Sequence, residues 1–232
     1  VFRETSHREK EDMDFYMESI QEQFAGRLQF LEEGVTYLRE NDEMLDFFQG
    51  NTVNEDAILD QLEQGVNLFS EQNMISETYP VVRDFYVFNK NMQYVGTHFY
   101  PETMSEKQSM NRYFQECLEN YKDQDQIFYY RQHGSLLDLC FALYDNDMKV
   151  IGYCAAAIEK ESLARIFRPL EKYESYYWIL KDNRGKEVSG LQLAGLDTDQ
   201  MKKQEGTIKC EGKKYYYRQV SHSFGLTSYI LI

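Results

Sequence analysis

The chain has 232 residues, 42% of them hydrophobic, with 25 Lys and Arg against 39 Asp and Glu and a formal charge of −14. Its 15 Phe and 19 Tyr can fill a sizeable core, which excludes disordered, collagen-like and low-complexity classes. The acidic balance argues against a nucleic-acid backbone or an anionic membrane surface as the main partner.

No stretch stays apolar over the roughly 20 residues that cross a bilayer. The chain opens at Val1 and closes on the strand-like Tyr229-Ile230-Leu231-Ile232. We therefore expect a piece of a longer protein, with any membrane spans in the flanking sequence. Cys117, Cys140, Cys154 and Cys210 form no CxxC pair, so neither a zinc motif nor a disulfide framework is implied.

From Met17 the apolar positions Ile20, Phe24, Leu28, Leu31, Val35, Leu38 and Leu45 follow helical spacing. The spacing predicts one helix over residues 8–48, about 60 Å long. Gly26 and Gly34 weaken a pure coiled-coil reading and favour a stalk helix that also packs on a domain. Thr52 with Glu55 makes a capping box for a second helix reaching about residue 72.

After Pro80 the texture becomes aromatic and β-branched. Tyr86-Val-Phe-Asn-Lys-Asn-Met-Gln-Tyr-Val-Gly96 and Ala142-Leu-Tyr-Asp-Asn-Asp-Met-Lys-Val-Ile-Gly152 match position for position in type. The segment Ile179–Gly190 repeats them with one extra residue. Each reads as strand, Asn/Asp-rich turn and strand, ending in glycine. Between the first two hairpins Ser105 can cap a helix bearing Met110, Phe114, Cys117, Leu118 and Tyr121, and a strand 127–131 follows. A short helix over 159–167 is stopped by Pro169, and strands over 214–220 and 226–231 close the chain. Antiparallel hairpins with interposed helices predict an α+β fold.

This order resembles the extracytoplasmic double Cache sensor region, two PAS-like modules built on antiparallel sheets behind one long N-terminal helix. The resemblance rests on Asn111-Arg-Tyr-Phe-Gln-Glu-Cys-Leu118, similar to the family's aromatic helix motif, and on the hairpin 143–152 that runs on into a helix. It implies a stalk helix over residues 1–50, a membrane-distal module over 51–170 and a smaller membrane-proximal module over 171–232. It also implies a position outside the cell, between two membrane helices of a receptor such as a sensor histidine kinase. In the family's amino-acid-binding subset an aspartate pairs with the ligand amine; the matching position here is Ala157, and the motif's arginine place is Asn111. A buried amine without a carboxylate is costly, which speaks against an α-amino acid as ligand.

The residues themselves carry no nucleotide-binding, hydrolase, metalloprotease or EF-hand motif, and no catalytic residue is assigned. His7, His98, His133 and His222 lack a partner at ligand spacing, so no metal or cofactor is expected. Alternation along 128–131 puts Tyr129 and Arg131 on one strand face, either as ordinary packing with a snorkelling arginine or as a pocket wall. In the second reading Arg112 and Tyr113 face them from the preceding helix. Asp138, polar at the end of an otherwise apolar strand, reads as an anchor, with Tyr144 on the same face. Counting outward from an Asn146-Asp147-Met148 loop pairs Cys140 with Cys154. That register sets Gly152, Cys154 and Ala156 beside Asp138, Cys140 and Ala142, leaving room for a packed helix or for a ligand.

The expected ligand site is therefore Arg112, Tyr113, Tyr129, Arg131, Asp138 and Tyr144, in the first module. The smaller second module reads as a transmitter. The expected function is sensing a small molecule and relaying a conformational change through the membrane, with the long helix offering a homodimer surface and no nucleic acid involved. The other reading is a stand-alone binding or scaffold domain of the same fold.

Overall fold

A computed structural model describes residues 2–51, 54–71, 82–98, 104–122 and 127–232. The helix α1, Phe2–Glu40, is continuous and buries Met17, Ile20, Phe24, Leu28, Leu31, Val35 and Leu38, the stripe read from the sequence. It stops eight residues short of the expected end. Asn41 leaves the helical region (φ −83°, ψ 127°), and its side chain accepts a hydrogen bond from the Met44 amide. It thereby caps a separate helix α2, Asp42–Gln49, whose first turn carries Asp42 and Glu43. The apolar period runs across this break, so periodicity alone hides it.

Helix α3 spans Glu55–Glu71. The Asn54 side chain accepts from the Asp56 amide at its start. The capping box expected at Thr52 lies outside the described residues. Strands β1 (Val82–Asn89) and β2 (Tyr94–His98) form the first hairpin, followed by α4 (Met104–Lys122). Strands β3 (Phe128–His133), β4 (Leu136–Tyr144) and β5 (Val150–Glu159) come next, then α5 (Lys160–Phe167). The rest is β6 (Tyr177–Lys181), β7 (Glu187–Leu191), β8 (Glu205–Cys210), β9 (Lys213–Ser221) and β10 (Thr227–Leu231).

The chain divides into two compact units, Val1–Leu28 with Leu163–Ile232, and Gln29–Ser162. Each holds one antiparallel five-stranded sheet. The orders are β2-β1-β5-β4-β3 and β7-β6-β10-β9-β8, the same topology twice. This is the α+β, two-module PAS-like fold expected from the hairpin order.

One turn chemistry recurs in three hairpins, β1–β2, β4–β5 and β6–β7. Asn89 Oδ1 accepts from the amides of Asn91 and Gln93, Asp145 Oδ1 from those of Asp147 and Lys149, and Asp182 Oδ1 from those of Arg184 and Lys186. The fourth turn residue is left-handed each time: Met92 and Met148 at φ 61°, Gly185 at φ 76°.

In the unit Gln29–Ser162, α4 packs on β3, β4 and β5, while α2 packs on β1 and β5 and α3 on β2. The core on the α4 side joins Tyr86, Phe88, Cys140, Ala142, Ala155 and Ala157 to helix residues Phe114, Cys117, Leu118 and Tyr121. Gly152 belongs to the α2 packing: a Cβ there would lie 2.5 Å from both the Phe48 ring and the Phe88 carbonyl oxygen. In the other unit Phe167 stacks on Trp178 (4.3 Å, 1°) and Phe24 lies 5.8 Å from Phe167. Strand β8 went unread because only Ile208 and Cys210 are apolar in it, on a polar edge strand.

The expected Cys140–Cys154 pair does not form. Next to the turn Tyr144 pairs with Val150, as the three-residue loop requires, but the following pair is Leu143 with Gly152. Ile151 is an extra, bulged residue. Beyond it Cys140 opposes Ala155, and Cys154 opposes Phe141. A one-residue slip turns a strand over, so Cys154 faces away from Cys140.

Candidate functional site

The same slip decides what lies beside Asp138. Gly152, Cys154 and Ala156 face the other side, and Gly152 receives a helix, the packing alternative left open by the sequence. On the α4 side stands a transverse row: Asp84 opposes Ala157, Ala157 opposes Asp138, and Asp138 opposes Arg131. The next row is Tyr86, Ala155, Cys140 and Tyr129. Two alanines thus separate the outer side chains of the two rows.

Helix α4 places Tyr113, Phe114 and Cys117 over these rows because they share its buried face. The Tyr113 hydroxyl donates a short hydrogen bond to Asp138 Oδ2. Its ring stacks on His133 (4.3 Å, 26°), and the Arg131 guanidinium lies 4.9 Å from the ring centre. Arg131 Nη1 also donates to Cys117 Sγ at 3.4 Å. At the far side of Ala157, Arg83 Nε pairs with Asp84 Oδ2 at 3.0 Å.

Asp138 is 1% exposed, yet its Oδ1 has no hydrogen-bond partner. Burial raises its pKa above the ordinary carboxylate value. The Tyr113 hydrogen bond and the charges of His133, Arg131 and Arg83 oppose that shift. Burial, then the bond to Asp138, raises the Tyr113 phenol far out of the physiological range, so Tyr113 stays a donor. The structure offers a buried acceptor with one oxygen free, the arrangement that a cationic donor satisfies.

Tyr113, Arg131 and Asp138 therefore meet, with Tyr129 one row away and half-buried. Arg112 stands apart from this cluster: it is exposed, because it lies about 100° around the helix from Tyr113. Tyr144 is also separate, six residues along β4 and roughly 20 Å from Asp138, where it hydrogen-bonds Tyr121. Sequence reasoning missed Asp84, His133 and Cys117 as members of the site. The available signal was Asp84 itself, a charged residue in phase with Tyr86 and Phe88 on an otherwise apolar strand.

A separate pocket of about 240 Å³ lies between α2, α3 and the first hairpin, lined by Phe47, Ile58, Tyr94, Asn51, Glu55 and Gln93. It shares no residue with the cluster around Asp138. Among the described residues, no group of three or more His, Cys, Asp or Glu is placed to hold a metal ion. No described helix is long and apolar enough to cross a membrane.

No family model matches the chain, and no curated protein matches it. Solved structures do. The extracellular domain of the histidine kinase rpHK1S-Z16 is similar at TM-score 0.56 and 14% identity, over 97% of this chain and 94% of that one. The ligand-binding domain of the Pseudomonas fluorescens chemoreceptor CtaA, in complex with L-isoleucine, is similar at TM-score 0.51 and 13% identity, over 96% and 93%. That of the Pseudomonas aeruginosa chemoreceptor PctC, in complex with GABA, gives TM-score 0.50 and 18% identity, over 92% and 91%. The fold is that of the extracellular sensor domains of chemoreceptors and histidine kinases. The expectation against an α-amino acid is overturned: the fold holds L-isoleucine in CtaA. Here the carboxylate absent at Ala157 has two neighbours on the same row, Asp84 and Asp138.

Proposed function

We propose that this chain is the extracytoplasmic ligand-sensing domain of a transmembrane receptor of the histidine-kinase or chemoreceptor type, with no catalytic activity of its own. The module of residues 51–170 is the membrane-distal, ligand-binding one, and the module of residues 171–232 is the membrane-proximal relay. The ligand is a small molecule bearing a cationic amine, amino acids included. Its ammonium group takes the free Oδ1 of Asp138, with Asp84 along the row, Tyr113 and Tyr129 as aromatic walls, and Arg131 available to an acidic group. The single observation that carries the reading is the buried, unpartnered oxygen of Asp138 beneath a helix, in a fold shared with ligand-binding sensor domains.

The test is a thermal-shift screen of amino acids and amines, followed by calorimetric titration of the binder. A compound at 100 times its Kd stabilises the fold by about 2.7 kcal/mol. Asp138→Asn then costs about 2–5 kcal/mol of binding, because it leaves the ligand charge unpaired. Unchanged affinity in Asp138→Asn removes the site from this cluster. Binding confined to uncharged or purely anionic compounds refutes the amine.

A further inference from the structure

The ligand reading leaves unexplained a pair of thiols on the same face. Cys117 on α4 and Cys140 on β4 are hydrogen-bonded to each other, and the Arg131 guanidinium touches the Cys117 sulfur at 3.4 Å. Cys140 lies two residues from Asp138 and opposes Tyr129. We propose that Cys117 and Cys140 are a peroxide-oxidisable dithiol whose disulfide ties α4 to β4.

The chemistry follows from the contacts. A thiolate is the reactive form of cysteine, and a guanidinium beside it favours that form. The Cys140 thiol donates to Cys117, which makes Cys117 the sulfur that carries the charge and lowers its pKa. The Cys117 thiolate attacks one oxygen of hydrogen peroxide, the O–O bond breaks, and hydroxide leaves. Cys117 is then a sulfenic acid. The Cys140 sulfur attacks the Cys117 sulfur, the S–O bond breaks, and water leaves with the Cys140 proton. Two thiols and one peroxide become one disulfide and two waters. Both cysteines are buried, so the oxidant chosen is hydrogen peroxide, which is smaller than any disulfide reagent.

The other two cysteines supply an internal control. Cys154 is fully buried on the opposite face, and burial raises its thiol well above the ordinary value. Cys210 donates to the Ala194 carbonyl at 3.3 Å. Cys154 faces away from Cys117 and Arg131, and Cys210 belongs to the other sheet.

The experiment treats the reduced chain with hydrogen peroxide, then denatures it and alkylates the remaining thiols. The expected product has lost two hydrogens, takes up two alkyl groups instead of four, and gives one cross-linked peptide joining Cys117 to Cys140. Cys140→Ser removes the resolving sulfur, and Cys117 is then trapped as a sulfenic acid by dimedone present while the chain is denatured. Arg131→Gln slows the reaction at neutral pH by about tenfold, through the smaller thiolate fraction. Four alkylatable thiols after treatment, or a cross-link through Cys154 or Cys210, overturns the proposal. The outcome does not depend on whether the amine site exists.

Discussion

In the unit Gln29–Ser162 the chain passes from the second strand to the third through the 19-residue α4. In the other unit the same passage, between β7 and β8, contains only the three-residue turn Thr198–Gln200. The sheets share one strand order, so the crossover is what differs. Under α4 lie two buried acids, one with a free oxygen. Under the short crossover Leu193 and Met201 meet Tyr177, Tyr215, Tyr217 and Tyr229. The buried acid described in that unit, Asp182, is consumed by its own turn, where it binds two amides. A long crossover gives the first sheet a helical roof over its buried acids. A short one leaves tyrosines to fill the same face.

The strongest way to break the comparison is to disturb one sheet and watch the other. Gly152→Ala forces a Cβ to within 2.5 Å of the Phe48 ring and the Phe88 oxygen. Overpacking against backbone predicts a loss of about 3 kcal/mol. Trp178 is the single tryptophan and belongs to the other unit, so its fluorescence follows that unit alone. The circular-dichroism midpoint should fall further than the Trp178 midpoint. Coincident shifts would mean that the two sheets unfold as one block.

A smaller effect separates the polar cores. In the unit that lacks α4, the Gln21 amide donates to Ser228 Oγ at 3.0 Å, and His222 Nε2 lies 2.7 Å from the same oxygen. Phe24 packs edge-on to the His222 ring at 4.8 Å. Burial lowers the His222 pKa to about 4. The unfolded chain takes up the proton near the ordinary value of about 6.5, and the folded chain refuses it until lower pH. Stability is therefore full above that value and declines as pH falls toward 4. The loss is on the order of 1–2 kcal/mol after discounting for partial exposure. Urea titrations over this range should show the decline, and His222→Gln should flatten it. An unchanged slope in the variant would assign the acid sensitivity to carboxylates.

The smallest effect sharpens the likeness between the hairpins. Met148 is 74% exposed and held at φ 61°, where Gly185 stands at φ 76° in the β6–β7 hairpin. Met148→Gly relieves the left-handed cost and should stabilise by about 0.5–1 kcal/mol, while Gly185→Ala should cost about 1 kcal/mol. Paired denaturant midpoints measure both. A destabilised Met148→Gly would show that the methionine side chain contributes contacts of its own.

Much of this architecture was legible from local chemistry. Asn89, Asp145 and Asp182 each bind amides two and four residues on, a bond pattern that a short segment forms by itself. The stripe from Met17 to Leu38 needs only the helical period and an apolar surface to bury. Of the site, Tyr113, Arg131 and Asp138 were readable as polar groups in phase with apolar neighbours. Tertiary packing decided the rest. The bulge at Ile151 carries no local signal, because a strand accepts an extra residue wherever both faces find partners, and Phe48 filling the space at Gly152 selects that register. From that slip follow the separation of Cys140 from Cys154 and the meeting of Asp84, Ala157 and Asp138. Residues 54 positions apart share a row only once three strands have aligned, and side-chain alternation turns one residue of register into the choice of face.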